Sequence, residues 1–145
     1  MKPIATIILN RNLPKVTDKL YRKIKKNEGY LTDIFIVEAG SSKNNLSKYA
    51  TWHANSKIVK QKGLRFPRGM NYGLYQMWKK KIFNNYEAFF LITNDTVIQD
   101  KNTIKKLYLI LQKNKKIGIL SPCSKKWGEN KLLKKNSINF SWYIH

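Results

Sequence analysis

The stretch AFFLITNDT, residues 88–96, decides how this chain folds. Residues 88–92 form an unbroken apolar run, rich in the aromatic and β-branched side chains that suit a buried strand. A membrane span would need roughly 20 such residues. The run ends in a polar turn carrying a carboxylate, Asp95. Toward the N-terminus the pattern recurs: IATIIL at residues 4–9, broken only by Thr6, leads into Asn10-Arg11-Asn12. DIFIVE at residues 33–38 leads into Ala39-Gly40-Ser41-Ser42.

Helical periodicity fills the intervals. Thr17 can cap a helix with Leu20 and Ile24 on one face and Gly29 as its stop. Met70, Leu74, Met77, Trp78 and Ile82 recur at helical spacing over residues 69–83, a stripe read as core and not as a cofactor box. A further helix over residues 102–114 turns Ile104, Leu107, Tyr108 and Leu111 inward. Residues 56–60 read as a weaker strand, residues 117–120 as a fifth, and residues 138–144 (INFSWYI) as one last strand. Strands separated by helix-length crossovers predict an α/β fold, a mostly parallel sheet with helices on both faces and right-handed connections. No repeat and no linker interrupts the pattern, which predicts one domain over residues 1–145 that weakens after Pro122.

The length of 145 residues suits one buried core, and a hydrophobic fraction of 42% argues against disorder. Met1-Lys2-Pro3 leads straight into a strand, without the apolar stretch and cleavage site of a signal peptide, so a cytoplasmic location is expected. The single Cys123 allows no internal disulfide. Lys and Arg number 29 against 8 acids, a net charge of +21, which attracts polyanions: nucleic acid, an acidic membrane face or a phosphorylated substrate. Arginine, whose planar fork nucleic-acid readers favour, occurs only at 11, 22, 65 and 68. The basic runs at 22–26, 79–81, 113–116, 125–126 and 134–135 are scattered, as solvated helix faces and loops are. Nucleic acid is therefore disfavoured as a partner, and peripheral association with a membrane surface stays open.

In an open parallel sheet, ligands bind beyond the carboxyl ends of the strands. Of the 8 acids, Glu38 and Asp95 stand at such ends, each following an apolar run where an unpartnered carboxylate is costly. Other chemistries find no support. There is no G-x-G-x-x-G after the first strand and no P-loop. One Cys with the distant His53 and His145 makes no zinc site. Cys123 reads as a packed thiol, and His53 as a surface or half-buried side chain.

IATIILNRN, DIFIVEAGSS, FPRGMNYGL and AFFLITNDTVIQD, in this order and spacing, resemble the family-2 glycosyltransferases of GT-A fold. The likeness covers about residues 3–122, and GILSP at residues 118–122 fits the strand that follows in that family. Gly63, Arg68, Gly69, Asn71 and Gly73 stand in the family's glycine- and asparagine-rich segment, and Asn94-Asp95-Thr96 in its metal motif. The resemblance implies a Rossmann-like nucleotide-diphospho-sugar-binding domain that transfers a sugar, with inversion, to a glycan, lipid-linked or protein acceptor. It places Asn10, Asn12, Glu38, Arg68, Asn71 and Asn94 at the donor, with Lys62 beside Arg68 for the pyrophosphate. Asp95 would hold Mg²⁺ or Mn²⁺, with Thr96 or Asn94 binding through water.

Three departures qualify the match. Glu38 is one methylene longer than the family's Asp, and Asn94 leaves a single carboxylate in the metal motif. The family's catalytic base lies in a downstream acidic motif, whereas Asp100 and Glu129 are the only acids after Asp95 and neither has that context. The catalytic residue is thus unassigned, and residues 123–145 match only an acceptor-side approach. The resulting expectation is a glycosyltransferase domain that is truncated or needs a partner. The alternatives are a non-catalytic nucleotide-sugar-binding remnant and a basic module for RNA or anionic surfaces.

Overall fold

Strand β1, Ile4–Asn10, is buried at every residue, which is what its nearly continuous apolar run demands of a strand covered on both faces. In the computed structural model, which describes residues 2–54 and 56–120, it lies inside a four-stranded sheet of order β3-β2-β1-β4. Here β2 is Thr32–Glu38, β3 Trp52–His53 and β4 Ala88–Thr93, and every pairing is parallel. The α/β class and the parallel sheet are those the alternation of strand and helix patterns predicts.

The two faces of β1 carry different layers. Ala5, Ile7 and Leu9 pack with Val37, Trp52, Met70 and Met77, the last two from helix α3, Phe66–Lys79. This helix sits close because Gly73 has no side chain: a Cβ there would lie 3.1 Å from methyls of both Ile7 and Val37. Helix α1, Pro14–Glu28, covers the opposite face, its Leu20 and Ile24 buried and its Thr17 bonded to Asn10. Right-handed crossovers account for the split. The chain moves from β1 to β2 on one side, then returns past β1 to β4 on the other, so successive connecting helices fall on opposite faces.

Several sequence expectations need correction. Residues 56–60 form no strand. They open helix α2, Lys57–Lys62, whose N-cap Ser56 accepts a hydrogen bond from Val59 N at 3.1 Å. Thr17 does not cap α1, which begins at Pro14 in the first turn; Thr17 is buried one turn further in and donates to the Leu13 carbonyl at 3.0 Å. Helix α3 starts and ends earlier than expected, closing before Lys81 (φ 58°) and a short 3₁₀ turn, Phe83–Asn85. Residues 117–120 are not extended into a strand; Ile119 is 54% exposed, where a fifth buried strand would hide it. The proposed last strand over residues 138–144, and Cys123, lie outside the described residues.

Helix α4, Thr103–Lys113, has Ile104 and Tyr108 buried and Leu107 and Leu111 partly so, the stripe its periodicity predicts. Its first turn is tied down by the buried Glu28, whose Oε2 accepts from Ile104 N at 3.1 Å and so satisfies one otherwise orphaned helix N–H. The chain divides into two units, Met1–Ile104, which contains the whole sheet, and Lys105–His145. Among the described residues no helix is long and apolar enough to cross a membrane.

Candidate functional site

Parallel register sets the site. Asn10 lies level with Glu38, and Glu38 with His53, while Thr93 lies level with Leu9 and so brings Asn94 beside Asn10. A row of polar residues, Asn94, Asn10, Glu38 and His53, therefore runs across the carboxyl edge of the sheet. Neighbours in such a row project to the same face, so the two inner members meet.

They meet tightly. Asn10 Nδ2 donates to Glu38 Oε2 at 2.9 Å and to Oε1 at 3.1 Å, and also to the Asn45 carbonyl at 3.1 Å. Asn10 Oδ1 accepts from Leu13 N at 3.2 Å, Thr17 Oγ1 at 2.9 Å and Asn94 Nδ2 at 3.3 Å. Asn94 Nδ2 also reaches Thr17 Oγ1 at 3.1 Å. One amide thus joins the ends of β1, β2 and β4 to the first turn of α1. Glu38 takes a further bond from Ser47 N at 2.8 Å, and Ser47 Oγ donates to the buried Asp18 at 2.6 Å, fastening the loop after β2 to α1. Asn10 is 0% and Glu38 2% exposed, and no buried side-chain polar atom among the described residues lacks a partner.

The sequence-predicted donor residues accordingly separate. Asn10 and Glu38 sit beneath the surface, in a scaffold, with Glu38 forming part of a cleft wall. Asn94 turns its amide inward to the same scaffold. Asn12 is exposed at φ 56°, its N–H held by Ser41 Oγ at 3.1 Å and its Oδ1 by Ser42 N at 2.9 Å, so it braces the loops after β1 and β2 against each other. Arg68 and Asn71 are exposed on α3 and line a separate, largely apolar cleft of about 450 Å³ with Leu64, Tyr72 and Tyr75. Lys62 is exposed, and its carbonyl accepts from the Arg11 guanidinium, which lies across Gly63.

Asp95 differs from Glu38. It is exposed in the turn that follows β4, a turn closed by Thr96 N donating to the Thr93 carbonyl at 3.2 Å. Its carboxylate makes no hydrogen bond or ion pair among the described residues. It also stands at the point where the strand order reverses, since β1 leads away to β2 and the next element beside β1 is β4. The crevice outside such a reversal is where open α/β sheets receive ligands.

A cleft of about 330 Å³ opens at the β2 and β3 ends, lined by Glu38, Gly40, Ser41, Lys43, His53 and Lys60 among others. Gly40 shapes it: its φ is 94°, and a Cβ there would lie 2.2 Å from the Val59 carbonyl oxygen, so only glycine lets the strand end approach α2 this closely. Of these lining residues, sequence reasoning assigned a role only to Glu38. His53 ends β3, but that strand spans two residues, too few for any periodicity to register. Lys43 and Lys60 carry no local signal that separates them from the other lysines.

Among the described residues no group of three or more His, Cys, Asp or Glu is gathered to hold a metal ion. A closed protein cage is therefore absent from them, and what they offer is one free carboxylate, Asp95. A single carboxylate holds Mg²⁺ or Mn²⁺ only where a ligand's phosphates and water complete the coordination. No family profile, curated protein or solved structure matches this chain.

Proposed function

We propose that this chain is the nucleotide-diphospho-sugar-binding domain of a glycosyltransferase with a GT-A-type arrangement. The observation that carries the reading is Asp95: an exposed carboxylate, unpartnered among the described residues, at the strand-order reversal of a parallel sheet whose same carboxyl edge also bears, at the β2 and β3 ends, a cleft lined by Lys43 and Lys60. A diphosphate leaving group gathers negative charge as the sugar departs, and a divalent ion held by Asp95 would offset that charge. Lys43 and Lys60 supply point charges toward the same phosphates. Gly40 and Ser41 line the same cleft at the end of β2. Asn10 and Glu38 act indirectly in this reading, by fixing the loops that form the cleft floor. The carboxylate base of the transfer step is assigned to no residue of the chain.

Calorimetric titration of the full chain with UDP-, GDP- and dTDP-sugars, with and without Mn²⁺, tests the proposal. Metal-dependent binding of at least one donor is expected, and Asp95→Ala should abolish the metal dependence while leaving the fold intact. Absence of metal-dependent binding to every donor, or full retention of it in Asp95→Ala, would overturn the reading.

A further inference from the structure

The end of the sheet opposite the candidate site carries its own surface. Helices that connect parallel strands return to the strands' amino ends, so the last turns of α1 and α3 share that edge. On α3 this turn exposes Trp78 at 66% and Tyr75 at 53%, their rings stacked with centroids 5.9 Å apart, and it continues into the exposed Lys79, Lys80 and Lys81. On α1 it exposes Lys25 and Lys26, followed by Tyr30 at 63%. Of the acids at this edge among the described residues, Glu28 is buried, Asp33 is paired with Lys2 at 2.8 Å, and Glu87 is exposed.

Exposed tryptophan and tyrosine beside lysines is the composition of a membrane interface. The rings lodge at headgroup depth, and the lysines spread their stems over apolar surface with the ammonium among anionic headgroups. We infer that this edge, centred on Trp78 and Lys79 to Lys81, docks the protein on an anionic lipid surface with the candidate site facing away from it. Charge complementarity selects the lipid. The patch is lysine without arginine, suited to diffuse attraction to headgroups and not to the planar recognition of bases. The two rings already stack on each other, which leaves no slot between them for a base. The inference is independent of the nucleotide-sugar reading.

Co-sedimentation of the full chain with phosphatidylcholine vesicles, with and without phosphatidylserine, tests it. Binding should require the anionic lipid and weaken with salt. At roughly fivefold per lysine, the triple variant Lys79→Gln/Lys80→Gln/Lys81→Gln should lose about a hundredfold in affinity. The same charge removed from the other end, Lys43→Gln/Lys60→Gln/Lys62→Gln, should lose less than a tenth as much. Trp78→Ala should lose about tenfold and Trp78→Phe less, with circular dichroism unchanged. Equal losses for the two triples would reduce the effect to diffuse charge and overturn the assignment. So would binding indifferent to Trp78, or losses confined to a single-stranded polynucleotide probe.

Discussion

Asn10→Ala is the sharpest test of how the site is built. The substitution removes the amide whose Nδ2 bonds both oxygens of Glu38 and whose Oδ1 gathers Leu13, Thr17 and Asn94. Glu38, 2% exposed, would keep Ser47 N as its donor and lose the other. A hydrogen bond to a buried charge is worth about 1.5–3 kcal/mol, and stranding part of such a charge adds to that, so a loss of about 4 kcal/mol is expected. Against a typical domain stability of about 5–15 kcal/mol this is a large fraction. Urea unfolding followed by tryptophan fluorescence measures it, and an unchanged m-value shows that the unfolded state is not the cause. Asn10→Asp sharpens the comparison, since it keeps the volume and the Oδ1 acceptor but sets an oxygen where Glu38 now receives an N–H at 2.9 Å. It should be at least as damaging, because it sets a second carboxylate against a buried one. A loss below about 1 kcal/mol in Asn10→Ala, or a near-silent Asn10→Asp, would refute the network as the element that holds the strand ends together.

Three further outcomes follow from the same geometry. Gly40→Ala must hold an L-residue at φ 94° with its Cβ 2.2 Å from the Val59 carbonyl, and should lower stability by at least about 2 kcal/mol, whereas Gly118→Ala, with nothing within 4 Å, stays within about 0.5 kcal/mol; urea midpoints compare them. Glu38→Ala should cost several times what Asp95→Ala does in unfolding free energy, because the first is a bonded scaffold member and the second a free surface carboxylate; equal losses would mean Asp95 is structural. The Tyr86 hydroxyl is pushed from 10.0 up to about 12 by its burial, and then by the charge of Asp33 and the hydrogen bond it donates to Asp33 at 3.1 Å. The folded state thus holds this proton more tightly than the unfolded chain, and its contribution is complete below pH 10 and lost as pH rises toward 12. Tyr86→Phe should therefore show a shallower alkaline fall in unfolding free energy, and identical profiles would contradict the Asp33 contact.

Where the sequence could be read, a strong local pattern coincided with the tertiary environment. Residues 4–9, 33–38 and 88–93 were legible as strands because each is long enough for burial to write an apolar run. Trp52–His53 was not, since two residues make no pattern and its pairing to β2 is wholly long-range. Residues 56–60 include the β-branched Ile58 and Val59, which suit a strand, yet the Ser56 hydroxyl caps a helix there. Thr17 was misread for the converse reason: its hydroxyl serves Asn10 and the Leu13 carbonyl, a partnership that exists only after β1 and α1 have met. The strand-end rule located the edge where the site lies. It could not say which polar residues there face outward, because that depends on cross-strand register.

Register is what separates the two strand-end carboxylates. Glu38 has a strand on either side, so its neighbours Asn10 and Ser47 can close over it, while Asp95 lies beyond the paired part of β4 in a turn where no described residue bonds its carboxylate. The donors on Glu38 are amide and backbone N–H groups, with no lysine or arginine among them, in a chain that has 29 such residues. Neutral donors satisfy its lone pairs without cancelling its charge. Two carboxylates therefore stand at one sheet edge inside a strongly basic protein, one sealed and one open. A divalent cation needs locally negative oxygen, and a diphosphate needs cations close by. In the proposed function the open carboxylate, Asp95, would serve the first need, and Lys43 and Lys60 at the cleft that Glu38 also lines would serve the second. An ammonium at position 10 could donate to Glu38 but could not accept from Leu13 N, Thr17 Oγ1 and Asn94 Nδ2 as the Asn10 amide oxygen does, which is the physical reason an asparagine suits this position.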